Sequence, residues 1–249
     1  MTNKIMWGEG IDTSENNDDD EATTQASGYW TDYATRPTIS GSSYIIDSAT
    51  DLAWMANQSS LTRTYNLTAN INLEDHYWVP IMNFAGTFNG NGYTIKGMTI
   101  DQDQRLMIQR LKDGSISITT LFTNLEPPPQ KLLNSFSYPG IQTFGLFGYI
   151  NNSCVIDNVI VEGSIDLNFT LAYDTTHSYY KIHVGGIVGC VSLGSSPTFE
   201  IRNCVNKVSI DVDLYSNIPG VESPEFSGAV VGGIVGSIGE NVYGNIVEE

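Results

Sequence analysis

The sequence is poor in positive charge. Eleven Lys and Arg residues stand against 28 Asp and Glu in a chain of 249, which gives a formal net charge of −17. Such an acidic surface repels nucleic-acid phosphates and anionic lipid headgroups, so it argues against nucleic-acid binding and against adsorption to anionic membranes. It is compatible with binding of cations and with neutral partners such as glycans.

Cysteine and histidine are scarce as well. The chain has three of each, with no C-x-x-C pair and no metal-ligating spacing among the histidines. The three cysteines therefore predict neither a disulfide framework nor a zinc site, and we interpret them as small buried apolar side chains. We expect no cofactor, apart from weak Ca²⁺ binding by surface carboxylates.

Long apolar runs are missing too. None approaches the ~20 residues that span a bilayer, and the first residues lack the apolar core of a signal peptide. The protein is then either cytosolic or exported by a leader that is not part of this sequence. Residues 1–28 are polar and acidic, which predicts a disordered tail, and residues 29–249 form the expected folded domain.

Glycine, in contrast, is plentiful, and it marks a repeat. A Gly-apolar-apolar-Gly motif occurs at 145–148 and returns within 185–189 and 232–236. Its first glycines, Gly145, Gly186 and Gly233, lie 41 and then 47 residues apart. The segments that follow the first two copies match at an offset of 45 residues. A period above 40 with several strands indicates a solenoid, since three partial units are too few for a propeller. We expect coils of ~20–25 residues, two per repeat, stacked at ~4.8 Å.

Alternation along the matched segments predicts which side chains face the core. One face of the first segment carries Val159, Val161, Ile165 and Leu167. The matching set in the second segment is Cys204, Asn206, Val208, Ile210 and Val212. The opposite face carries Ile160, Glu162, Ser164 and Asp166. Near the end of the chain, 245–247 matches 158–160 and begins a third copy.

Two local signals lie upstream of the repeats. Ser48 and Asp51 resemble a capping box and precede Leu52, Met55 and Ala56 at helical spacing, which predicts one short helix over one end of a β core. The pairs Asn89-Gly90 and Asn91-Gly92 predict a tight turn with positive φ angles between two strands.

Taken together, these motifs resemble the GLUG-motif repeat family of bacterial cell-surface proteins. The likeness covers most of the chain, from about Trp30 to the C-terminus. Besides the Gly-apolar-apolar-Gly copies, it rests on 44–46 with 51–53, on 78–81 and on 84–92. Long insertions between the repeats depart from the family pattern, as does Asn89, where the family more often has Asp.

The resemblance implies a right-handed parallel β-helix, exported to the bacterial surface or the extracellular space. It also implies attachment to the membrane through a leader absent from this sequence, and it implies no established catalytic residue. The corresponding function is noncatalytic cell adhesion or carbohydrate binding, with a glycan or a host or cell-surface protein as the partner.

Three inserted segments carry the candidate binding residues. Residues 105–143, 168–183 and 213–227 each lie between the strands of one repeat and the next glycine motif. Because the segments occupy the same position in each repeat, a solenoid places them along one edge. Aromatic rings can stack on sugar rings, and acidic side chains beside them can accept hydrogen bonds from sugar hydroxyls. The predicted ligand-binding residues are Phe169, Tyr173, Tyr179, Tyr180, Tyr215 and Phe226. The competing interpretation is that these aromatic residues only pack the loops onto the core.

Two further interpretations stay open. Asp166 and Asp211 occupy equivalent positions, ~10 Å apart if a repeat has two coils, which is near the upper limit for the carboxylates of an inverting glycosidase. The first alternative is therefore a polysaccharide-cleaving hydrolase or lyase. The second is a structural spacer within a longer surface protein. Because 247–249 ends within a strand, the last coil could also associate end to end with another molecule.

Overall fold

The computed structural model describes residues 28–110, 116–121, 141–173, 180–191, 198–216, 227–239 and 243–247. The described part consists mainly of β-strands with one α-helix, so the predicted all-β class is confirmed. The predicted disordered tail lies, apart from Gly28, outside the described residues. Within the described part, no helix is both long enough and apolar enough to span a bilayer.

The chain forms its elements in this order. The part before residue 122 contains a 3-10 helix (Trp30–Asp32), β1 (Thr38–Ser40), β2 (Ser43–Ile46), α1 (Ala49–Ala56), β3 (Thr64–Leu67), β4 (Ile71–Asn72), β5 (Ile81–Met82), β6 (Thr87–Asn89), β7 (Thr94–Arg110) and β8 (Ile116–Leu121). The part after residue 140 contains β9 (Ile141–Phe144), β10 (Phe147–Ile150), β11 (Cys154–Asp157), β12 (Ile160–Tyr173), β13 (Tyr180–Gly185), β14 (Val188–Val191), β15 (Thr198–Arg202), β16 (Val205–Ser216), β17 (Ser227–Gly232), β18 (Val235–Ile238) and β19 (Tyr243–Val247).

Helix α1 begins where its capping residues predict. Ser48 is the N-cap, and its hydroxyl accepts a hydrogen bond from the Asp51 backbone N–H at 3.3 Å. The Asp51 carboxylate in turn accepts from the backbone N–H of Asp47 at 3.4 Å. Leu52 and Met55 are fully buried, so the helix lays its apolar side on the strands as predicted.

The strands form four sheets, of which two are wholly parallel and two each contain one antiparallel pair. Sheet I has the order β1-β2-β3-β6-β11-β15-β19, and only its first pair is antiparallel. Sheet II has the order β5-β10-β14-β18, and sheet IV has the order β9-β13-β17. Sheet III has the order β4-β7-β12-β16, and β8 pairs antiparallel with β7.

The second half of the chain consists of three successive units. Unit A comprises β9–β12, unit B comprises β13–β16 and unit C comprises β17–β19. Units A and B give one strand to each of the four sheets, and unit C gives one strand to three of them. Residues that pair in sheet II are 41 and then 47 positions apart in the sequence. Phe147, for example, pairs with Val188, which pairs with Val235. Partners in sheet I are 45 residues apart.

This register corrects two expectations. Strands of successive units pair directly with each other, so one repeat consists of a single set of four strands. The expectation of two coils per repeat is therefore wrong. The predicted match of 245–247 to 158–160 is also wrong by three residues. Asn245 pairs with Glu200, and Glu200 pairs with Val155, which places β19 in sheet I.

The glycine motif forms the tight corner between sheets IV and II. A Cβ atom on Gly189 would lie 2.7 Å from the Phe144 backbone nitrogen and 2.8 Å from the Gly148 carbonyl oxygen. A Cβ on Gly236 would lie 2.5 Å from the carbonyl oxygens of Gly189 and Val184. The motif therefore exists because two sheets approach each other backbone to backbone at this corner, and any side chain would separate them.

Asparagine supplies the corner from sheet I to sheet III. Asn91 and Gly92 have φ angles of 53° and 78°, so the second Asn-Gly pair forms the predicted turn, whereas Gly90 has no positive φ. Asn158 and Asn203, 45 residues apart, both have φ 54° and connect sheet I to sheet III in units A and B. Asparagine tolerates this left-handed conformation better than other residues with a side chain.

The core lies between the sheets and follows the predicted alternation. In unit A, the four side chains predicted to face inward are at most 1% exposed: Val159, Val161, Ile165 and Leu167. In unit B, Val208 is buried and Cys204, Ile210 and Val212 are partly buried against the core. The carbonyl oxygen of the Asn206 side chain accepts a hydrogen bond from the Val208 backbone N–H at 3.1 Å.

The inserted segments are not loops from their first residues onward. Strands β7, β12 and β16 continue to Arg110, Tyr173 and Ser216, well into segments that were predicted as loops. They are the longest strands in the described part of the chain and neighbours in one sheet, so the three segments do leave the fold along one edge. In β12 and β16 the alternation of apolar and polar residues continues past Leu167 and Val212.

Candidate functional surface

Sheet III presents a regular polar face to solvent. A five-residue pattern, Ser or Thr followed by Ile, Asp, any residue and Asp or Asn, occurs in three neighbouring strands. It spans residues 99–103 of β7, 164–168 of β12 and 209–213 of β16. The Ile of each copy faces the core, so the hydroxyl and carboxylate positions on either side of it face outward.

The register aligns the three copies without a shift. Asp166 pairs with Asp101 on one side and with Asp211 on the other. Each of these three residues is exposed. Neighbouring strands lie ~4.8 Å apart, so the three aspartates form a row across the sheet. We name it the aspartate row.

Two parallel rows flank the aspartate row, each two residues away along the strands. Ser164 pairs with Thr99 and Ser209, which gives a row of hydroxyl groups. Asn168 pairs in register with Asp103 and Asp213, so an acidic or amide residue occupies this position in all three strands. Successive rows lie about 6.7 Å apart, because a strand rises by ~3.3–3.4 Å per residue. The hydroxyl, aspartate and carboxylate–amide rows together are called the row surface.

The negative charge of this surface affects a neighbouring tyrosine. Burial raises the pKa of Tyr29 to about 12, and the charges of Tyr77, Asp101 and Asp32 add to the effect. At the other end of the row surface, Lys207 of β16 lies 2.8 Å from Glu162 of β12. This lysine is thus paired with a carboxylate outside the three rows.

The spacing of Asp166 and Asp211 differs from the expected ~10 Å. The two residues are direct register partners on adjacent strands, because a repeat has one passage instead of two coils. The inverting-glycosidase geometry inferred from that spacing is therefore wrong. Both carboxylates also lie on an exposed sheet face.

The predicted aromatic residues do not converge in register. Phe169 and Tyr173 lie in β12, Tyr215 lies in β16 and Tyr180 begins β13, which belongs to a different sheet. Tyr179 and Phe226 lie outside the described residues. Tyr215 pairs with Thr170, and Tyr180 pairs with Ser227, so none of the four described residues pairs with another.

Alternation also separates these aromatic positions. Phe169 and Tyr173 follow Leu167 at intervals of two, in phase with the core-facing positions of β12. Tyr215 follows Asp211 and Asp213 at the same interval, in phase with the row surface. Of the four predicted ligand-binding residues in the described part, Tyr215 is the one that follows the row positions of its own strand at an interval of two.

Sequence reasoning missed Asp101 and the two flanking rows. The offset from Asp101 to Asp166 is 65 residues instead of 45, because the long segment between β7 and β9 separates them, so a fixed period does not find the first copy. The five-residue pattern itself was visible and would have found all three copies.

Metal ligands do not converge in the described ranges. Among residues 28–110, 116–121, 141–173, 180–191, 198–216, 227–239 and 243–247, no three His, Cys, Asp or Glu side chains are arranged to hold a metal ion.

Comparisons with known proteins give no family assignment. No protein-family model, no curated protein and no solved structure matches this chain.

Proposed function

We propose that the chain is a noncatalytic recognition module that binds a neutral glycan on the row surface. The observation that carries the proposal is the threefold five-residue pattern in register on adjacent strands. A polysaccharide repeats one chemical unit along its length, and its hydroxyl groups donate hydrogen bonds. Exposed carboxylates and hydroxyls at regular intervals offer matching acceptors.

The proposed architecture is a right-handed parallel β-helix, as the GLUG-like motifs imply. Its support is that unit B adds one strand to each of the four sheets and unit C adds one to three of them, at offsets of 40 to 47 residues. A duplication tests it. Inserting a second copy of residues 180–226 adds one complete unit, and we expect a folded protein of at least equal thermal stability. An aggregated or unfolded product would contradict a repeat architecture.

The proposed setting is the bacterial surface, with a glycan or a cell-surface protein as the partner. This rests on the resemblance to the GLUG family and on the net charge of −17, which leaves neutral partners open. Immunodetection on intact cells of the source organism tests the location. Antibody access only after lysis would contradict it.

A glycan array tests the recognition function directly. The probe is the wild-type chain beside two variants, with and without Ca²⁺. In the first variant the aspartate row is neutralised (D101N, D166N and D211N). The control neutralises three exposed aspartates elsewhere (D32N, D47N and D75N), so the net charge changes equally. We expect the first variant to lose glycan binding by at least about tenfold, and the control to retain it.

The outcomes of the array separate the possible functions. Absence of binding by the wild-type chain would favour the spacer function. Binding that survives in the row variant but disappears when Tyr173, Tyr179, Tyr180 and Tyr215 are all changed to alanine would move the site to the inserted segments. Glycan turnover that disappears in D211N would replace the binding module with a polysaccharide-cleaving enzyme. Binding only in Ca²⁺ would identify the row surface as a cation-bridged site.

A further inference from the structure

Two short segments continue sheet III on the side of β7 that faces away from β12. The Trp78 backbone N–H donates a hydrogen bond to the Thr99 carbonyl oxygen of β7 at 2.7 Å. The Tyr77 N–H donates to the Gly28 carbonyl oxygen at 2.9 Å, and Tyr29 forms a parallel bridge with Tyr77. The backbone at Tyr77 is therefore the next neighbour of β7, and the backbone at Tyr29 follows it.

The register of this contact puts Tyr77 beside the first residue of the hydroxyl row. The segment runs parallel to β7, as β4 does just before it. In a parallel pair, a backbone N–H bonds to the residue before its register partner, so Trp78 lies beside Ile100. Both of these side chains are buried, as expected for neighbours on one face. Tyr77 then lies beside Thr99, so the hydroxyl row continues into Tyr77.

Tyr29 and Tyr77 present their rings on the outward face of the sheet. Trp30 and Trp78, the residues that follow them, are buried, so alternation turns the two tyrosines to the opposite face. Both tyrosines are half-buried. Their ring centroids lie 5.7 Å apart, with an interplanar angle of 43°. The two rings thus form one aromatic surface at the end of the hydroxyl row, and we name it the tyrosine pair.

The tyrosine pair lies close to the aspartate row. Burial is the main cause that raises the pKa of Tyr29 to about 12, and Tyr77, Asp101 and Asp32 add to it through their charges. Such an effect requires proximity, so Asp101, which is exposed at the β7 end of the aspartate row, lies near Tyr29. At neutral pH the Tyr29 hydroxyl keeps its proton, so it can both donate and accept a hydrogen bond.

The length of the extended hydroxyl row limits the ligand. It has five positions in line, which are Tyr29, Tyr77, Thr99, Ser164 and Ser209. Four strand spacings of ~4.8 Å separate the first position from the last, so the row is about 19 Å long. A pyranose unit of an extended glycan advances by about one strand spacing, so a chain that lies across the strands can meet one position with each unit. A coiled chain would leave the straight row.

We propose that the tyrosine pair is the stacking subsite of the row surface, and that the ligand is an extended neutral glycan lying across the strands. This inference rests on the proposed function, because it names the ligand class and the ring-binding end of the same surface. One sugar ring packs its C–H face on the tyrosine pair, which removes two apolar surfaces from water. The following units lie over the hydroxyl row, where their hydroxyls bond to its Ser and Thr side chains and to the neighbouring carboxylates.

Isothermal titration of the unmodified protein with oligosaccharides of increasing length tests the ligand class. The extended set contains linear oligosaccharides of glucose, mannose and xylose with the equatorial linkages that keep a chain extended, from disaccharides to octasaccharides. The coiled set contains α-linked glucose oligosaccharides of the same lengths. We expect affinity for at least one extended series to rise up to about five units, which fill the ~19 Å row, and then to level off. Equal affinity for the coiled set, or affinity that does not depend on length, would overturn the proposal.

Leucine and phenylalanine variants test the tyrosine pair itself. Y29L/Y77L keeps apolar bulk but removes both rings, and we expect it to bind the best extended oligosaccharide at least about tenfold more weakly. Y29F/Y77F keeps both rings, and we expect its affinity to stay within about threefold of the wild type. The matched control is Y33L, since Tyr33 is 52% exposed in the same part of the chain but its ring stacks on His76. We expect Y33L to bind like the wild type.

The outcomes separate this inference from the proposed function. Circular dichroism and thermal unfolding show which variants are folded, and the length series needs no variant. Unchanged binding by folded Y29L/Y77L, with loss in the aspartate-row variant (D101N, D166N and D211N), would overturn this inference alone. A loss in Y29F/Y77F as large as in Y29L/Y77L would contradict stacking. Absence of any glycan binding by the wild-type chain would overturn both proposals.

Discussion

Units B and C have the same pattern of strands, yet equivalent apolar side chains are buried in unit B and partly exposed in unit C. Val188 is fully buried, whereas its partner Val235 is only partly buried. The sequences at the glycine corner are identical, Gly-Gly-Ile-Val-Gly in both units. The difference therefore does not lie in the local sequence. It lies in whether a following strand covers the position.

In this fold, whether an apolar side chain is buried thus depends on the strand that the next unit adds beside it. A residue of unit B is stabilised by a strand some 47 residues later in the chain, and the equivalent residue of unit C has no such strand in the described part. Equivalent substitutions in the two units isolate this contribution, because the local sequence and the backbone pairing on the inner side are matched.

The largest expected effect comes from a charge at equivalent valines. V184D places an unpaired carboxylate in the core, and we expect a loss of about 3–5 kcal/mol or more of unfolding free energy. V231D places it at a half-exposed position, and we expect a change within about 0.5 kcal/mol. Chemical denaturation at low protein concentration measures both. Equal losses would mean that unit C is as well covered as unit B.

A smaller contrast is expected at the glycine corner. A Cβ atom on Gly186 would lie 1.9 Å from the side-chain oxygen of Asn206, which a hydrogen bond holds in place. On Gly233 it would meet only the Asn206 side-chain nitrogen, at 3.9 Å. G186A should lose about 1–3 kcal/mol of unfolding free energy by overpacking. G233A should leave it unchanged or raise it by up to about 1 kcal/mol, since alanine restricts the unfolded chain. Similar results for both variants would count against the described corner.

Alkaline pH should lower the unfolding free energy more through Cys154 of unit A than through Cys204 of unit B. Burial raises the pKa of the Cys154 thiol to about 12. Above its ordinary pKa the thiol deprotonates in the unfolded chain but stays protonated in the folded protein. Stability is therefore complete below about pH 9 and falls between about pH 9 and 12. Burial also raises the pKa of Cys204, which is partly exposed.

Unfolding free energies of C154A and C204A, measured from neutral pH upward, test this difference. C154A should flatten the alkaline loss of stability more than C204A does. The pKa values of Tyr29 and Tyr65 are also raised to about 12 by burial, so part of the slope remains in both variants. A slope identical to the wild type in C154A would show that this thiol is not buried as described.

The smallest effect concerns the ion pair that links units A and B. Lys207 and Glu162 lie 2.8 Å apart, and both side chains are substantially exposed. A double-mutant cycle with K207A and E162A should give a coupling of about 0.2–1 kcal/mol. The coupling should decrease in high salt because ions screen exposed charges. A coupling that does not respond to salt would indicate a contact buried more deeply than described.

Local chemistry predicted much of this fold from the sequence. The Ser48 cap, the Asn91-Gly92 turn and the alternation around Val161 and Ile165 each depend on neighbouring residues, so they can be recognised without knowing the fold. The repeat offset of 45 residues was also visible, because sheet I and sheet III preserve it in units A and B.

The number of strands per repeat could not be predicted in the same way. Corners such as 144–147 have only two residues between strands, so the sequence does not show that the chain changes sheet there. The expected half-length coils followed from this ambiguity. The aromatic site was likewise inferred from composition, whereas the row surface depends on register between strands that are 45 and 65 residues apart.

The offsets between paired strands have a consequence for how the chain acquires its structure during synthesis. Each strand of units B and C needs a partner that left the ribosome some 40 residues earlier, whereas β1, β2 and α1 need only near neighbours. We expect order to spread from the amino-terminal end, each unit serving as the template for the next. Pulse-labelled hydrogen exchange follows this order, and amides of β15 protected before those of β3 would contradict it. Among the described strands, those of unit C would then be the last to find their partners.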